Sequence, residues 1–206
     1  MKYMLSFAVA ALVSTSAHAE AFNGAYGLVQ GGLESNKINS SELFVGSTLG
    51  VPTVSASKAS NAVIGVAIGY DGKIGSKLVI GGEFGGMFST GSNNQTILFP
   101  APNSKPVNIN YKSQALYDVT LRAGVLVGEN TLVYARGGYA NSKLKATITS
   151  LNTVNVVKGN NNGYVLGGGI EHNFGGKFAA RAEYRYINLK GPISRNQFLA
   201  GLVYRF

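Results

Sequence analysis

Large apolar residues alternate with small or polar residues along much of the sequence. Residues 61–71 show the pattern most clearly, and their bulky phase consists of Ala62, Ile64, Val66, Ile68 and Tyr70. The residues between these are mostly small, and the last of them is Asp71. Because successive side chains of a β-strand point to opposite faces, a period of two predicts a strand with one apolar face.

Other segments alternate in the same way, and together they predict eight strands. The segments are residues 22–31, 61–71, 78–88, 114–125, 133–139, 164–174, 178–186 and 197–206, of which the first is less clear because it is rich in glycine. Tight turns are predicted at Asp71-Gly72-Lys73, Gly128-Glu129-Asn130 and Gly175-Gly176. The connections over residues 32–60, 89–112 and 141–162 are long and polar, and the one over residues 190–195 is intermediate.

Composition indicates that these strands lie in a membrane. Only 13% of the residues are charged, yet after the first twenty residues no apolar run approaches the ~18 residues of a membrane helix. A membrane β-strand needs only ~9–11 residues, with its apolar positions facing lipid. Short turns at one end and long loops at the other are typical of bacterial outer-membrane barrels. We therefore expect an all-β fold, an eight-stranded antiparallel transmembrane β-barrel with periplasmic turns and extracellular loops.

The N-terminus has the pattern of a secretory signal peptide. Lys2 supplies the positive start, residues 4–13 form an apolar stretch, and Ala17-His18-Ala19 is a small-x-small cleavage site. We predict cleavage after Ala19, with Ala21 as the second choice. A membrane anchor is the alternative, but the apolar run is short and polar residues follow it at once. The predicted organisation is a signal peptide over residues 1–19 and an outer-membrane barrel over residues 20–206.

Arginine and lysine occupy different parts of the predicted barrel. In-strand arginines and carboxylates fall on the face opposite the bulky apolar phase, whereas lysines lie almost wholly in loops, turns and strand ends. Arginine makes bidentate pairs with carboxylates in confined sites, while lysine is a strongly hydrated point charge. The pattern predicts a polar network in the lumen with a structural role. Its predicted members are Glu83, Asp118, Arg122, Arg136, Glu171, Arg181, Glu183, Arg185 and Arg205.

Three motifs resemble those of the opacity-type, OmpA-like family of eight-stranded outer-membrane barrels. They are Gly-Gly-Gly-Ile-Glu at 167–171, Arg-Ala-Glu-Tyr-Arg-Tyr at 181–186 and Gly-Leu-Val-Tyr-Arg-Phe at 201–206. The resemblance implies that Tyr204 and Phe206 form the signal recognised by the barrel-assembly machinery. Because no further domain follows the last strand, we do not expect the peptidoglycan-binding role of longer OmpA-type proteins. Members of this family differ widely in function, so the resemblance transfers no ligand-binding residue.

The sequence offers little for catalysis or cofactor binding. Cysteine is absent, and His172 is the one histidine beyond the predicted signal peptide. A barrel-type lipid A deacylase needs His, Ser and Glu together, and no serine lies two residues after His172. The glycine runs lie inside predicted strands with no helix after them, which argues against a phosphate-binding loop. We expect no enzyme activity, no cofactor and no metal.

Basic residues concentrate in the predicted extracellular connections. They are Lys37, Lys58, Lys105, Lys112, Lys143, Lys145, Lys158, Lys190 and Arg195. Only Glu34 and Glu42 oppose them there, so the outer end of the barrel is predicted to be cationic. Lipopolysaccharide phosphates are the nearest anionic partner, and sulfated host glycans are the next. The alternative is that these lysines only keep the loops soluble within the lipopolysaccharide layer.

Two functions remain open from the sequence. The first is a non-enzymatic, surface-exposed barrel of the adhesin or surface-antigen type, which stabilises the outer membrane and contacts anionic molecules. The second is a narrow channel for small solutes. An eight-stranded barrel is only just wide enough for its own side chains, so we expect a filled lumen and at most weak conductance. We expect outer-membrane lipid and the assembly machinery as partners, and no nucleic acid.

Overall fold

Ten β-strands make up the part of the chain that the computed structural model describes, residues 21–38, 53–56, 60–90, 92–98, 107–150, 153–190 and 193–206. The strands are β1 (Gly24–Ile38), β2 (Thr53–Ala56), β3 (Ser60–Ile74), β4 (Leu78–Ser89), β5 (Ser92–Leu98), β6 (Val107–Val127), β7 (Thr131–Ser150), β8 (Thr153–Asn173), β9 (Phe178–Leu189) and β10 (Ile193–Arg205). Within these ranges no helix is long and apolar enough to cross a membrane. The predicted signal peptide, residues 1–19, lies outside them.

The long strands pair antiparallel in chain order and close into a barrel. β1 pairs with β3, the sheet continues through β4, β6, β7, β8, β9 and β10, and β10 returns to β1. The short strand β2 pairs with β5, and β5 pairs with the first residues of β6. Closure leaves no unpaired sheet edge in the wall of the barrel, as a membrane requires. The predicted eight-stranded antiparallel barrel is confirmed.

The alternation in the sequence separates the outer surface from the lumen. On β3, Ile68 and Tyr70 are each 63% exposed, whereas Ala67 and Asp71 are buried. The other barrel strands follow the same rule, with Phe84, Leu121 and Phe198 on the outside. The exposed face is the one predicted to meet lipid, which removes its apolar area from water.

Two of the three predicted tight turns are confirmed, and the third is displaced. Residues 128–130 connect β6 to β7, and residues 174–177 connect β8 to β9. The turn predicted at residues 71–73 is wrong, because β3 continues to Ile74 and the turn includes Gly75. Gly75 has a φ of +63°, a conformation that glycine adopts without the steric penalty of a Cβ.

At the opposite end the strands run further than predicted. The loop predicted over residues 141–162 is largely strand, because β7 and β8 stay paired up to Ser150 opposite Thr153. A strand of 20 residues is about 66 Å long at ~3.3 Å per residue, so much of this hairpin extends beyond the membrane. The segment is rich in Ser, Asn, Thr and Lys, which is typical of loops, while its β-branched residues keep the β-propensity high.

Apolar side chains close the lumen at both ends. Near the tight turns, hereafter the short-turn end, a cluster contains Phe22, Val79, Leu126, Leu132 and Tyr134. Towards the opposite or long-loop end, a second cluster contains Val63, Met87, Leu116, Ala140, Val165, Ile187, Leu189 and Leu199. On β4 the lumen-facing positions run from Val79 through Glu83 to Met87. Glu83 therefore lies between the two apolar layers.

Candidate functional site

The nine residues predicted to line the lumen lie together, and Asp71 joins them. All ten side chains are buried. They are five carboxylates, Asp71, Glu83, Asp118, Glu171 and Glu183, and five arginines, Arg122, Arg136, Arg181, Arg185 and Arg205. We call this set the lumen network. Five negative and five positive charges cancel, so the interior is electrically balanced.

Nearest the short-turn end, two carboxylates bind three arginines. Arg122 donates from Nε to Asp71 Oδ1 at 2.8 Å and from Nη1 to Glu171 Oε2 at 3.0 Å. Arg205 donates to the same two carboxylates, at 3.0 Å to Asp71 and 2.5 Å to Glu171. Arg181 completes the group with a 2.8 Å bond to Glu171. Asp71 was not predicted in the network, because Asp-Gly-Lys predicts a turn.

The other half of the network lies nearer the long-loop end. Arg136 donates to Glu83 at 2.7 Å, to Asp118 at 3.0 Å and to Glu183 at 3.0 Å. Arg185 donates to Glu183 and lies 3.4 Å from Asp118. Arg181 Nη1 donates to Glu83 at 2.5 Å, which joins the two halves into one continuous network.

Two tyrosines that were not predicted in the network complete it. The hydroxyl of Tyr26 donates to Glu83 at 2.8 Å, and that of Tyr134 donates to Glu183. The Arg122 guanidinium lies 4.7 Å from the Tyr26 ring centroid and 5.2 Å from that of Tyr134. Tyr134 could have been found from the sequence, because it shares the alternating phase of Arg136.

The lumen network has the features of a structural core. Buried charges are tolerated when they are paired and hydrogen-bonded, and removing one partner is strongly destabilising. Every charged residue of the network has an ion-pair partner within 4 Å. Among the described residues, no group of His, Cys, Asp or Glu could hold a metal ion.

The prediction that Arg195 belongs to the extracellular basic residues is wrong, because its side chain is buried. Arg195 lies on β10 with 3% exposure, 3.8 Å from Glu34 Oε2, and donates to Ser142 Oγ at 3.2 Å. Glu34, also predicted in a loop, is buried and accepts a 2.7 Å hydrogen bond from Gln197. Both are internal because β1 and β10 stay paired as far as Ile38 opposite Ile193.

Most of the predicted loop lysines within the described residues belong to strands instead. Five of them lie on strands: Lys37 on β1, Lys112 on β6, Lys143 and Lys145 on β7, and Lys158 on β8. Lys143 is exposed, with Nζ 5.9 Å from the Tyr117 ring centroid, and Lys190 is exposed just after β9. Lys58, Lys105 and Glu42 lie outside the described residues.

His172 has the position expected of a surface residue. It is exposed on β8, its Nδ1 is 2.9 Å from Thr131 Oγ1, and its ring packs 5.6 Å from Phe174. A hydroxyl next to an imidazole could form a nucleophile–base pair, but no third side chain among the described residues hydrogen-bonds to the His172 ring to orient it.

Exposed aromatic residues surround the outer surface at two levels. At the short-turn end, Tyr204 packs against Phe178 at 5.3 Å and against Phe206 at 5.4 Å. Tyr184 packs against Phe198 at 4.9 Å nearer the other end, where Tyr164 and Tyr139 are also exposed. Aromatic girdles of this kind mark the two membrane interfaces of outer-membrane barrels.

Comparisons with known proteins agree with this architecture. A family model described as an outer membrane protein beta-barrel domain matches residues 5–206. The attachment invasion locus protein Ail of Yersinia pestis is 17% identical, with 89% of this chain and 99% of that chain covered and a TM-score of 0.53. OprG of Pseudomonas aeruginosa is 11% identical, with 91% and 98% covered and a TM-score of 0.53.

These similarities differ in what they establish. At such low identities the two solved structures support the fold and not a shared activity. A search of curated protein sequences found no significant match. The family model, in contrast, spans nearly the whole sequence. The chain therefore belongs to the outer membrane protein beta-barrel family and is a protein of the bacterial outer membrane.

Proposed function

We propose that this chain is a non-enzymatic, surface-exposed barrel that stabilises the outer membrane and presents a cationic long-loop end to anionic molecules. The anionic groups are the phosphates of lipopolysaccharide or the sulfates of host glycans. The observation that carries the proposal is the separation of charge. Balanced charges fill the lumen, and the excess positive charge lies at one end.

The balance of charges supports this proposal. All six arginines and six of the nine acidic residues are buried in the barrel, where they cancel. With Glu34 and Arg195 assigned to the interior, the predicted extracellular connections hold eight lysines, Lys37, Lys58, Lys105, Lys112, Lys143, Lys145, Lys158 and Lys190, against Glu42 alone, a net charge of +7 in the sequence. The short-turn end carries Lys73, Lys77 and Lys177 against Glu129. Such a one-sided field attracts polyanions, and salt screens that attraction.

The proposal is tested by neutralising one end at a time. Replacing all eight lysines of the long-loop end with Gln is expected to abolish binding of the folded barrel to immobilised heparin and to lipopolysaccharide. The control replaces Lys73, Lys77 and Lys177 with Gln and is expected to bind both polyanions as the wild type does. Heat-modifiable migration on a gel shows that each variant is folded. Unchanged binding by the first variant would refute the proposed interaction.

The channel alternative has less support. The described lumen is occupied by buried side chains, among them Arg185 and Glu171 with 0% exposure. The apolar clusters on either side of the lumen network add two dry layers that an ion would have to cross. Transfer of a charge into such a layer is strongly unfavourable.

A further inference from the structure

A shallow trough lies in the lipid-facing wall where β1, β10 and β9 run side by side. Its floor is a row of three small residues, Gly31, Ala200 and Ala182, which occupy directly opposite positions on these strands. Directly opposite residues of an antiparallel sheet share a face, and Ala182 and Ala200 are exposed. The row therefore lies on the outer face of the barrel. We call this feature the wall trough.

Large side chains of the neighbouring rows border the wall trough. They are Leu33, Phe198, Tyr184 and Ile170. The space between them and the floor has a volume of about 510 Å³, within the range of ligand pockets. Leu33 and Phe198 are 59% and 65% exposed, so they project from the wall. Glu183 also lines the space, but its carboxylate is bonded to Arg136 in the lumen. The exposed side chains of the wall trough are therefore uncharged.

The height of the wall trough places it in the leaflet at the long-loop end. Along β10, Tyr204 belongs to the girdle at the short-turn end, and Asn196 lies eight residues further towards the long-loop end. Eight residues span about 26 Å along the strand at ~3.3 Å per residue and roughly 20 Å along the membrane normal after strand tilt. Ala200 is midway between the two, so the floor lies near the middle of the apolar band. The space bordered by Leu33 and Phe198 extends from there into the leaflet at the long-loop end.

Hydrogen-bonded side chains border the wall trough on its long-loop side. The Tyr184 hydroxyl donates to Asn196 Oδ1 at 2.7 Å. This bond orients the Asn196 amide so that its NH₂ group can donate to another molecule. Asn188 Nδ2 donates to the Tyr164 and Tyr186 hydroxyls at 3.3 and 3.4 Å. We call these five residues the polar rim, and none of them is charged at neutral pH.

The position of the wall trough favours a lipid chain as its occupant. The trough is continuous with the apolar surface that faces the membrane, so acyl chains are the groups that meet it. A depression between projecting side chains loses dispersion contacts unless a flexible group fills it. In the predicted orientation the leaflet at the long-loop end is the outer one, whose main lipid is lipopolysaccharide. Its lipid A anchor carries acyl chains joined to a sugar by carbonyl groups, and such carbonyls accept hydrogen bonds.

We propose that the wall trough and the polar rim together hold one lipid A molecule of the same membrane. One acyl chain fills the trough, and a carbonyl group that joins the chain to the sugar accepts a hydrogen bond from the Asn196 amide. An apolar pocket with a few placed polar groups is the usual composition of a small-molecule site. This contact depends on shape and on uncharged groups. It therefore goes beyond the proposed function, which depends on lysines at the long-loop end.

The test fills the floor of the wall trough. The trough variant carries Ala182→Leu and Ala200→Leu, and the matched variant carries Ala123→Leu and Ala135→Leu. Ala123 and Ala135 are also exposed and directly opposite one another, but they lie outside the trough. Each folded barrel is incubated with lipid A in detergent, washed by detergent exchange and examined by native mass spectrometry. The wild type and the matched variant are expected to retain one lipid A molecule. The trough variant is expected to retain about tenfold less, because the added methylene and methyl groups overfill the site. Equal retention by the two variants would overturn the inference.

Further measurements identify the bound molecule. Dephosphorylated lipid A is expected to be retained as well as the phosphorylated form, and its loss would assign the contact to charge and overturn the inference. Phosphatidylethanolamine retained equally well, or a second barrel bound in place of the lipid, would also overturn it. Asn196→Leu is expected to reduce lipid A retention about fivefold, the effect of one lost hydrogen bond. Full retention by Asn196→Leu would refute the proposed contact with the polar rim.

Heparin binding separates this inference from the proposed function. The trough variant is expected to bind heparin as the wild type does, because its lysines are unchanged. The variant in which the eight lysines are replaced with Gln is expected to keep lipid A in the trough. Loss of heparin binding and loss of lipid A retention in the trough variant alike would contradict two separate sites.

Discussion

Arg181 joins the two halves of the lumen network. Its guanidinium donates to Glu83 at 2.5 Å and to Glu171 at 2.8 Å, and it has 3% exposure. No other side chain among the described residues pairs with both carboxylates. Alternation predicts its inward position correctly. The identity of its partners depends on the curvature of the closed barrel, because Glu83 lies 98 residues away in sequence.

The Arg181→Met variant is expected to lose about 3–5 kcal/mol of unfolding free energy, because two buried carboxylates lose a shared partner. Arg181→Lys is expected to lose less unfolding free energy, since lysine keeps the positive charge but lacks the planar, bidentate guanidinium group. Urea titration in lipid vesicles, with the folded fraction followed by heat-modifiable migration on a gel, measures the unfolding free energy of both variants. Exposed Lys143→Met serves as the control, with a change within about 0.5 kcal/mol. A neutral effect of Arg181→Met would show that the network is not structural.

Gly69 makes room for Tyr26. A Cβ at this position would overlap the Tyr26 ring, whose hydroxyl donates to Glu83 at 2.8 Å. Gly69→Ala is therefore expected to lower the unfolding free energy by about 1–3 kcal/mol. Gly82→Ala is the matched control, because the atom nearest its added Cβ lies 3.8 Å away. Similar urea midpoints for the two variants would contradict this packing.

At the scale of strands, sequence alternation predicts the membrane-spanning parts and fails beyond them. The β3–β4 turn is displaced because Asp71 pairs with Arg122, and the β7–β8 hairpin is missed because its residues are rich in Ser, Asn, Thr and Lys, which are typical of loops. A β-bulge in β6, where the β6–β7 register shifts between Ser113 and Ala115, is equally hidden, since the sequence around Gln114 shows no glycine or other irregularity. Strand pairing, which determines these features, depends on residues far apart in the chain.

At the scale of the molecule, the closed lumen predicts poor conduction. Charge balance and the two apolar clusters leave no continuous polar path through the described interior. In planar bilayers the folded barrel is expected to give no discrete single-channel steps. Steps that change in size on Arg122→Ala or Glu83→Ala would instead support the channel alternative.

The separation of charge between a balanced lumen and one cationic end is also a property of the whole molecule. The sequence predicts it in outline, because arginines fall in strands and lysines outside the lumen phase. It misplaces Arg195 and Glu34, whose pairing cancels one charge of each sign inside the barrel. The cationic excess therefore comes from lysine alone.

Orientation in the cell determines whether that excess can meet anionic surface molecules. A membrane-impermeant amine reagent applied to intact cells, followed by peptide mass spectrometry, measures it directly. Lys190, together with Lys58 and Lys105 of the predicted extracellular connections, is expected to be modified, whereas Lys77 and Lys177 are expected to react only after the outer membrane is permeabilised. Modification of Lys77 and Lys177 in intact cells, with Lys190 protected, would contradict a cationic surface that faces outward.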